Sequence, residues 1–293
     1  MKRIILFLLT NLSVMLLFSI ILSFTPINSN NLYDLIIVSG IFGFLGSIVS
    51  LLMSKWIALS LVEGKIIRRP RNEIETWLMN KVFYLSKKAK ITAPELAIYE
   101  SMEMNAFATG YRKNSSLIAV STGLLKNMNF KEIEAVLAHE ISHIKSGDMV
   151  TMTLIQGVIN TFVFFISQII VEFLLNSSSN KKENELDETN QHPFLFFLFT
   201  NFLEIVFGML ASLIVFSFSR RREFYADAGS ANMVGKENMI SALQKIKNSQ
   251  VLNTSDFIST SYINGKSNNF SFLFQSHPPL ETRIKALFQE KYM

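Results

Sequence analysis

This 293-residue chain contains only four histidines, and two of them stand in His139-Glu140-Ile141-Ser142-His143. A spacing of four puts both imidazoles on one face of a helix, where they can reach a single ion. The glutamate between them can activate water at that ion, so the chemistry is metal-assisted hydrolysis. The plainer alternative is a helix that merely carries two surface histidines; it accounts for none of the further site residues downstream. The chain has no cysteine. Disulfides and thiolate metal sites are therefore excluded, and any zinc must be held by histidine and carboxylate, as in a catalytic site.

A catalytic zinc usually takes three protein ligands. Beyond His143 the chain reads Ile144-Lys145-Ser146-Gly147-Asp148, with no third histidine at metzincin spacing. The candidate third ligand is Glu223, in Arg220-Arg221-Arg222-Glu223-Phe224-Tyr225-Ala226-Asp227. Glu223 and Asp227 share a helical face, so Glu223 can ligate while Asp227 accepts a hydrogen bond from a ligand histidine and fixes its tautomer. The competing reading is an exposed carboxylate pair balancing three arginines. Arg220 and Arg222 either pair with Asp227 or mark a membrane interface.

The elements that must position these residues can be read from pattern. Asn129 with Glu132 forms a capping box opening a helix Phe130–Lys145, stopped by Gly147. Ile133, Val136, Leu137 and Ile141 are its buried stripe. Asn72 with Glu75 resembles a second capping box, opening a helix that ends near Lys90. Leu96–Glu100 and Leu117–Ser121 are strand-like, with a turn at Asn114-Ser115. Pro278-Pro279 starts a last helix, Gly235 separates two others, and 249–276 reads as a polar loop. Met102 and Met104 are expected to be core filler.

Hydrophobic residues make up 49% of the chain, 26 of them Phe, with mean hydropathy +0.29. That is too apolar for a soluble domain of this size and points to membrane spans. Ile4–Phe24, Leu35–Met53, Thr151–Val171 and Phe194–Phe218 are four apolar runs, and only the last carries a charge, Glu204. The first is longer than a signal-peptide core and lacks a small-x-small cleavage site, so it reads as a retained span. Gly40, Gly43 and Gly46 in the second permit close helix packing. Glu204 within its run either bonds a neighbouring helix or faces a water-filled cleft. The net charge of +5 comes with basic residues beside the apolar runs, such as Lys55, Lys65, Arg68, Arg69 and Arg71. By the positive-inside rule these are cytoplasmic flanks, and no nucleic-acid partner is expected. The last two runs either cross fully, placing the acidic stretch 176–192 outside, or form a hairpin dipping into the bilayer. The expected organisation is two N-terminal spans (1–54), a cytoplasmic catalytic part with the H-E-x-x-H helix (55–150), a membrane-embedded hairpin (151–218) and a second cytoplasmic catalytic part with the third ligand (219–293).

With these motifs in hand, the chain resembles the HtpX and prenyl-protease-like family of membrane-bound zinc metallopeptidases, of gluzincin type. The resemblance covers the whole chain and rests also on Leu6–Leu12, Ser50–Trp56, Pro70–Glu73, Asn105–Gly110, Val120–Leu125 and His277–Leu280. It implies a mainly α integral membrane protein with four hydrophobic helices and a cytoplasmic α+β zincin-type domain carrying a small sheet. It implies one zinc per chain, held by His139, His143 and Glu223, with Glu140 as general base and Asp227 behind the ligands. It further implies a multi-pass endopeptidase of the bacterial plasma (inner) membrane, with its active site facing the cytoplasm. Such an enzyme cleaves damaged or misfolded membrane proteins in quality control and the stress response, in co-operation with other membrane proteases.

His277, in the His-Pro-Pro segment, is the expected oxyanion-stabilising residue, or else simply a helix-start histidine. Asn105, Ala106, Phe107 and Ala108 resemble the family's strand beside the active site, where an extended substrate pairs by strand addition. Asn105 is equally readable as a turn residue. Two alternatives stand beside the endopeptidase. One is a non-catalytic zinc-containing membrane scaffold, against which the intact Glu140 argues. The other is a narrower C-terminal or prenyl-type processing peptidase, a group that usually carries more spans. A transporter is disfavoured because the motifs lie outside the apolar runs.

Overall fold

The computed structural model describes residues 32–179, 193–258 and 276–293. The first apolar run, Ile4–Phe24, lies outside the described residues, as does most of the acidic stretch. The described chain runs α1 (Leu32–Val62), β1 (Lys65–Ile66), α2 (Glu73–Ala89), β2 (Glu95–Tyr99), β3 (Ala106–Arg112) and β4 (Ser115–Ser121). It continues through α3 (Thr122–Asn127), α4 (Phe130–Ser146), α5 (Asp148–Ser179), α6 (Pro193–Val234), α7 (Lys236–Ile258) and α8 (Leu280–Phe288). Three stretches among the described residues, Ile36–Val62, Asp148–Val171 and Phe197–Val234, are long and apolar enough to cross a membrane. The described residues are thus mainly helical, with three apolar candidate spans and a small mixed sheet.

The chain divides into two compact units. One takes the described residues up to Ser50 with those of Thr153–Val215. Here α1 and α5 approach closely at Gly43, where an added Cβ would lie 2.5 Å from the backbone nitrogen of Thr161. Gly157 faces the Phe44 ring in the same way, and Asn160 donates to Ser47 Oγ at 3.4 Å. Of the glycines expected to pack, Gly43 makes this close contact, whereas Gly40 meets nothing within 4 Å. Glu204 is fully buried in this unit.

The other unit, Leu51–Met152 with Phe216–Met293, carries the sheet and the H-E-x-x-H helix. The strand order is β1-β2-β4-β3. β2 and β4 run parallel (Leu96 opposite Ile118), while β1 and β3 pair antiparallel at the two edges. β4 is buried along nearly its whole length. Its Ile118 and Val120 join Leu78, Val82 and Leu85 of α2, Ile133, Leu137 and Ile141 of α4, and Met239 and Leu243 of α7 in one core. Each of these side chains contributes about 1.5–3 kcal/mol by burial, so α4 is clamped where its ligands project.

Local signals explain the ends of α4. The Asn129 carboxamide accepts from the Lys131 and Glu132 amides, and Glu132 answers with Oε2 on the Asn129 amide at 3.0 Å. Gly147 closes the helix at φ +72°, a left-handed conformation that favours glycine. At the start of α2 only half of the expected box forms. Asn72 caps the Glu75 amide, but the Glu75 carboxylate takes the Arg71 amide instead.

Two expectations are corrected, and one element is seen that residue patterning alone does not reveal. α7 continues to Ile258, so the loop expected at 249–276 begins later; its continuation at 259–275 lies outside the described residues. Met102 is 94% exposed and does not fill the core. Met104 does pack on the core. β3 escapes residue patterning, because its half-buried positions do not alternate cleanly and the ladder shifts between Gly110 and Arg112.

Candidate metal centre

The expected ligands come together. His139 and His143 project from one face of α4, and Glu223 reaches them from α6. One ligand atom from each of the three lies within 4.8 Å of the others, so the group could hold a metal ion. The two Nε2 atoms are 3.1 Å apart. Glu223 Oε1 is 3.4 Å from His143 Nε2, and Oε2 is 3.7 Å from His139 Nε2.

The far side of each ring decides what occupies that gap. His139 Nδ1 faces Asp227 Oδ1 at 2.9 Å, and His143 Nδ1 faces Asp148 Oδ2 at 2.7 Å. A carboxylate at Nδ1 favours the tautomer protonated there. Both Nε2 lone pairs then point at each other and at a carboxylate. Such a constellation repels itself unless a cation or a proton lies between, and its two-nitrogen, one-oxygen donor set suits zinc.

Without metal, a proton fills that role. Burial alone would lower the pKa of His143. Its hydrogen bonds to Asp148 and Glu223, with the charges of Glu223 and Glu140, outweigh burial and raise it from 6.5 to about 10.

Arg283, from α8, closes the back of the site. Its Nε and Nη2 donate to the two Asp227 oxygens at 2.7 and 2.6 Å, and Nη1 lies 2.9 Å from Glu223 Oε2. Burial opposes its charge, but Asp227, Glu223 and Glu140 more than compensate and hold the guanidinium above its ordinary pKa. Arg222 pairs with Asp148 rather than with Asp227. Arg283 takes Asp227 instead.

His277 Nδ1 is 2.9 Å from Glu223 Oε2, with 58% of its side chain exposed. Glu140 is buried, and its charge bears on both His143 and Arg283.

Ala106, Phe107 and Ala108 lie on β3, an edge strand packed beside α4. Ala106 and Ala108 face the main core, while Phe107 turns to the other face and meets Tyr99 at a ring distance of 5.8 Å. Asn105 precedes the strand, and its side-chain amide donates to the Tyr99 hydroxyl.

Sequence reasoning missed Asp148 and Arg283. Asp148 stands five residues after His143, just past the helix stop, and that was the available signal. Arg283 gave none, since its partners are far away in sequence.

A model of peptidase family M48 matches residues 72–291. The chain belongs to peptidase family M48. This M48 peptidase is 58% identical over 293 residues to Protease HtpX of Wigglesworthia glossinidia brevipalpis, covering 100% of this chain and 99% of that one. It is 60% identical to Protease HtpX of Buchnera aphidicola subsp. Schizaphis graminum and 53% identical to that of Yersinia enterocolitica, each over 100% of both chains. Its fold is similar to that in the crystal structure of S. mikatae Ste24p, with a TM-score of 0.67 at 21% identity. That match covers 94% of this chain, which spans 62% of the length of the Ste24p chain. As an M48 member it is a membrane metalloprotease that acts on polypeptides and uses zinc.

Proposed function

We propose that this M48 peptidase is a multi-pass zinc endopeptidase of the bacterial plasma membrane that cleaves damaged or misfolded membrane proteins at a cytoplasmic active site. The observation that carries the reading is the convergence of His139, His143 and Glu223 beside the buried Glu140. Basic residues 55–71 and 220–222 flank the apolar stretches and support a cytoplasmic location for 55–150 and 219–293, with 1–54 and 151–218 in the membrane and 176–192 on the far side.

His139, His143 and Glu223 hold the ion, and Asp227 orients His139. When bound, zinc supplies Lewis acidity, polarising the scissile carbonyl and acidifying water. The Glu140 carboxylate takes the proton from attacking water and returns it to the leaving amine. It is buried next to the ligands, where bulk water does not compete for that proton. His277 is more than half exposed at the rim of the site, and donates to the oxygen that becomes anionic. The substrate backbone pairs with the open edge of β3 along Asn105–Ala108. Recognition through main-chain groups suits unfolded segments of many sequences. Asn105 contributes its backbone and, by its bond to Tyr99, fixes the start of the strand.

The purified protein, reconstituted in liposomes with a membrane protein and a destabilised variant of it, tests this reading. Preferential cleavage of the destabilised form, abolished by a zinc chelator and by Glu140→Gln, is expected. Equal cleavage of both forms would overturn the quality-control assignment.

A further inference from the structure

Each ligand histidine is backed by a carboxylate, and each carboxylate by an arginine. Behind His139 stand Asp227 and then Arg283. Behind His143 stand Asp148 and then Arg222. We infer that Asp148, backed by Arg222, is a positioning residue for the metal, orienting His143 as Asp227 orients His139. The inference rests on reading His139, His143 and Glu223 as the ligands.

Asp148 is buried, and its two oxygens have separate tasks: Oδ2 meets His143 Nδ1 at 2.7 Å, while Oδ1 takes the Arg222 guanidinium. A buried carboxylate is costly unless paired, and these two partners satisfy it. It is also the first residue of α5, where the helix dipole favours a negative charge.

The geometry of α4 makes the residue necessary. Gly147 ends the helix one turn beyond His143, so nothing further along α4 can hold that ring's outer nitrogen. The chain instead turns at Gly147 and presents Asp148 to it. Arg222 immediately precedes Glu223 on α6. One helix therefore supplies both a ligand and the anchor for another ligand's support, and a displacement of α6 disturbs both together. A carboxylate at Nδ1 keeps the proton off Nε2 and strengthens that nitrogen as a donor; loss of such partners typically weakens metal affinity about 10–100-fold.

The test measures zinc affinity by chelator competition and the melting temperature of the metal-free protein. Both are read in the Glu140→Gln background in detergent, which prevents self-cleavage. Asp148→Ala is expected to weaken zinc binding by about 10–100-fold. Asp148→Asn, which retains an acceptor without the charge, should weaken it by less. Arg222→Gln should weaken it too, and adding Arg222→Gln to Asp148→Ala should change little further, because the arginine acts through the carboxylate.

Zinc affinity within about twofold of the parent in Asp148→Asn and Arg222→Gln, with only the metal-free melting temperature lowered, would overturn the inference and leave Asp148 a helix tie. The Asn and Gln variants decide the matter even where Asp148→Ala does not fold. His139→Ala is the control: should it also leave affinity unchanged, the ligand assignment itself has failed rather than the role of Asp148.

Discussion

At the scale of single residues, the site divides its labour between groups that must be neutral and groups that must be charged. Ligand histidines bind metal only when deprotonated, yet His143 in the metal-free protein holds its proton up to about pH 10. Zinc must therefore displace that proton at pH 7. Calorimetric titration of chelator-stripped protein with zinc, in two buffers of different ionisation enthalpy, should reveal about one proton released per zinc; no release would contradict the reading. Apparent affinity should rise with pH until about 10. The stability that the protonated ring gives the metal-free protein is present in full below 6.5 and is lost as pH rises through about 10. Glu140 has the opposite requirement: it must be an anion to accept a proton. Glu140→Gln should lower kcat by about 10²–10⁴-fold while zinc remains bound. The histidine pair and the Glu223–Asp227 pair were legible because a spacing of four sets each pair on one face of its own helix, and Glu140 because it stands within the histidine motif. Asp148 and Arg283 were not, because their roles depend on a chain reversal and on a helix from the far end of the sequence.

At the scale of elements, precision comes from how α4 is held. The Ser230 hydroxyl on α6 donates to the Ala135 carbonyl at 2.7 Å, and Ser241 on α7 donates to Glu132 Oε1 at the same distance. Gly229 lets α6 lie against α4, since a Cβ there would come within 2.4 Å of Ser142 Oγ. Gly229→Ala should push Glu223 away from the histidines, lowering stability by about 1–3 kcal/mol and weakening zinc binding without altering any ligand. Thermal unfolding and chelator competition read the two effects, and an unchanged zinc affinity would show that the contact does not set the ligand distance. Asn129→Ala removes one side of the α4 capping box and should cost about 1 kcal/mol. The caps and stripe of α4 are visible in sequence because they are local. β3 could be found only by family resemblance: an edge strand that is half-buried, with Gly110 at φ +139°, leaves no clean alternation.

At the scale of the whole molecule, two apolar stretches lie between His143 and Glu223, and α6 runs unbroken from its apolar part through the third ligand. Composition alone made the membrane character plain, but apolar runs say nothing of which side a segment faces. Because the chain has no cysteine, single cysteines can report that directly. Met102→Cys, at a fully exposed position, should react with a membrane-impermeant maleimide only from the cytoplasmic side, and Asp187→Cys in the acidic stretch only from the other. Labelling of both from one side would replace two full crossings with a hairpin. The claim on which the rest depends is that the His139–His143–Glu223 cluster binds zinc for hydrolysis and that Glu140 is its base. Wild type and Glu140→Ala, purified in detergent and compared for zinc content and cleavage of an unfolded protein, test it most directly. One zinc in each, with cleavage by the wild type alone, is the predicted result; equal cleavage by both, or zinc bound with no cleavage by either, would contradict it.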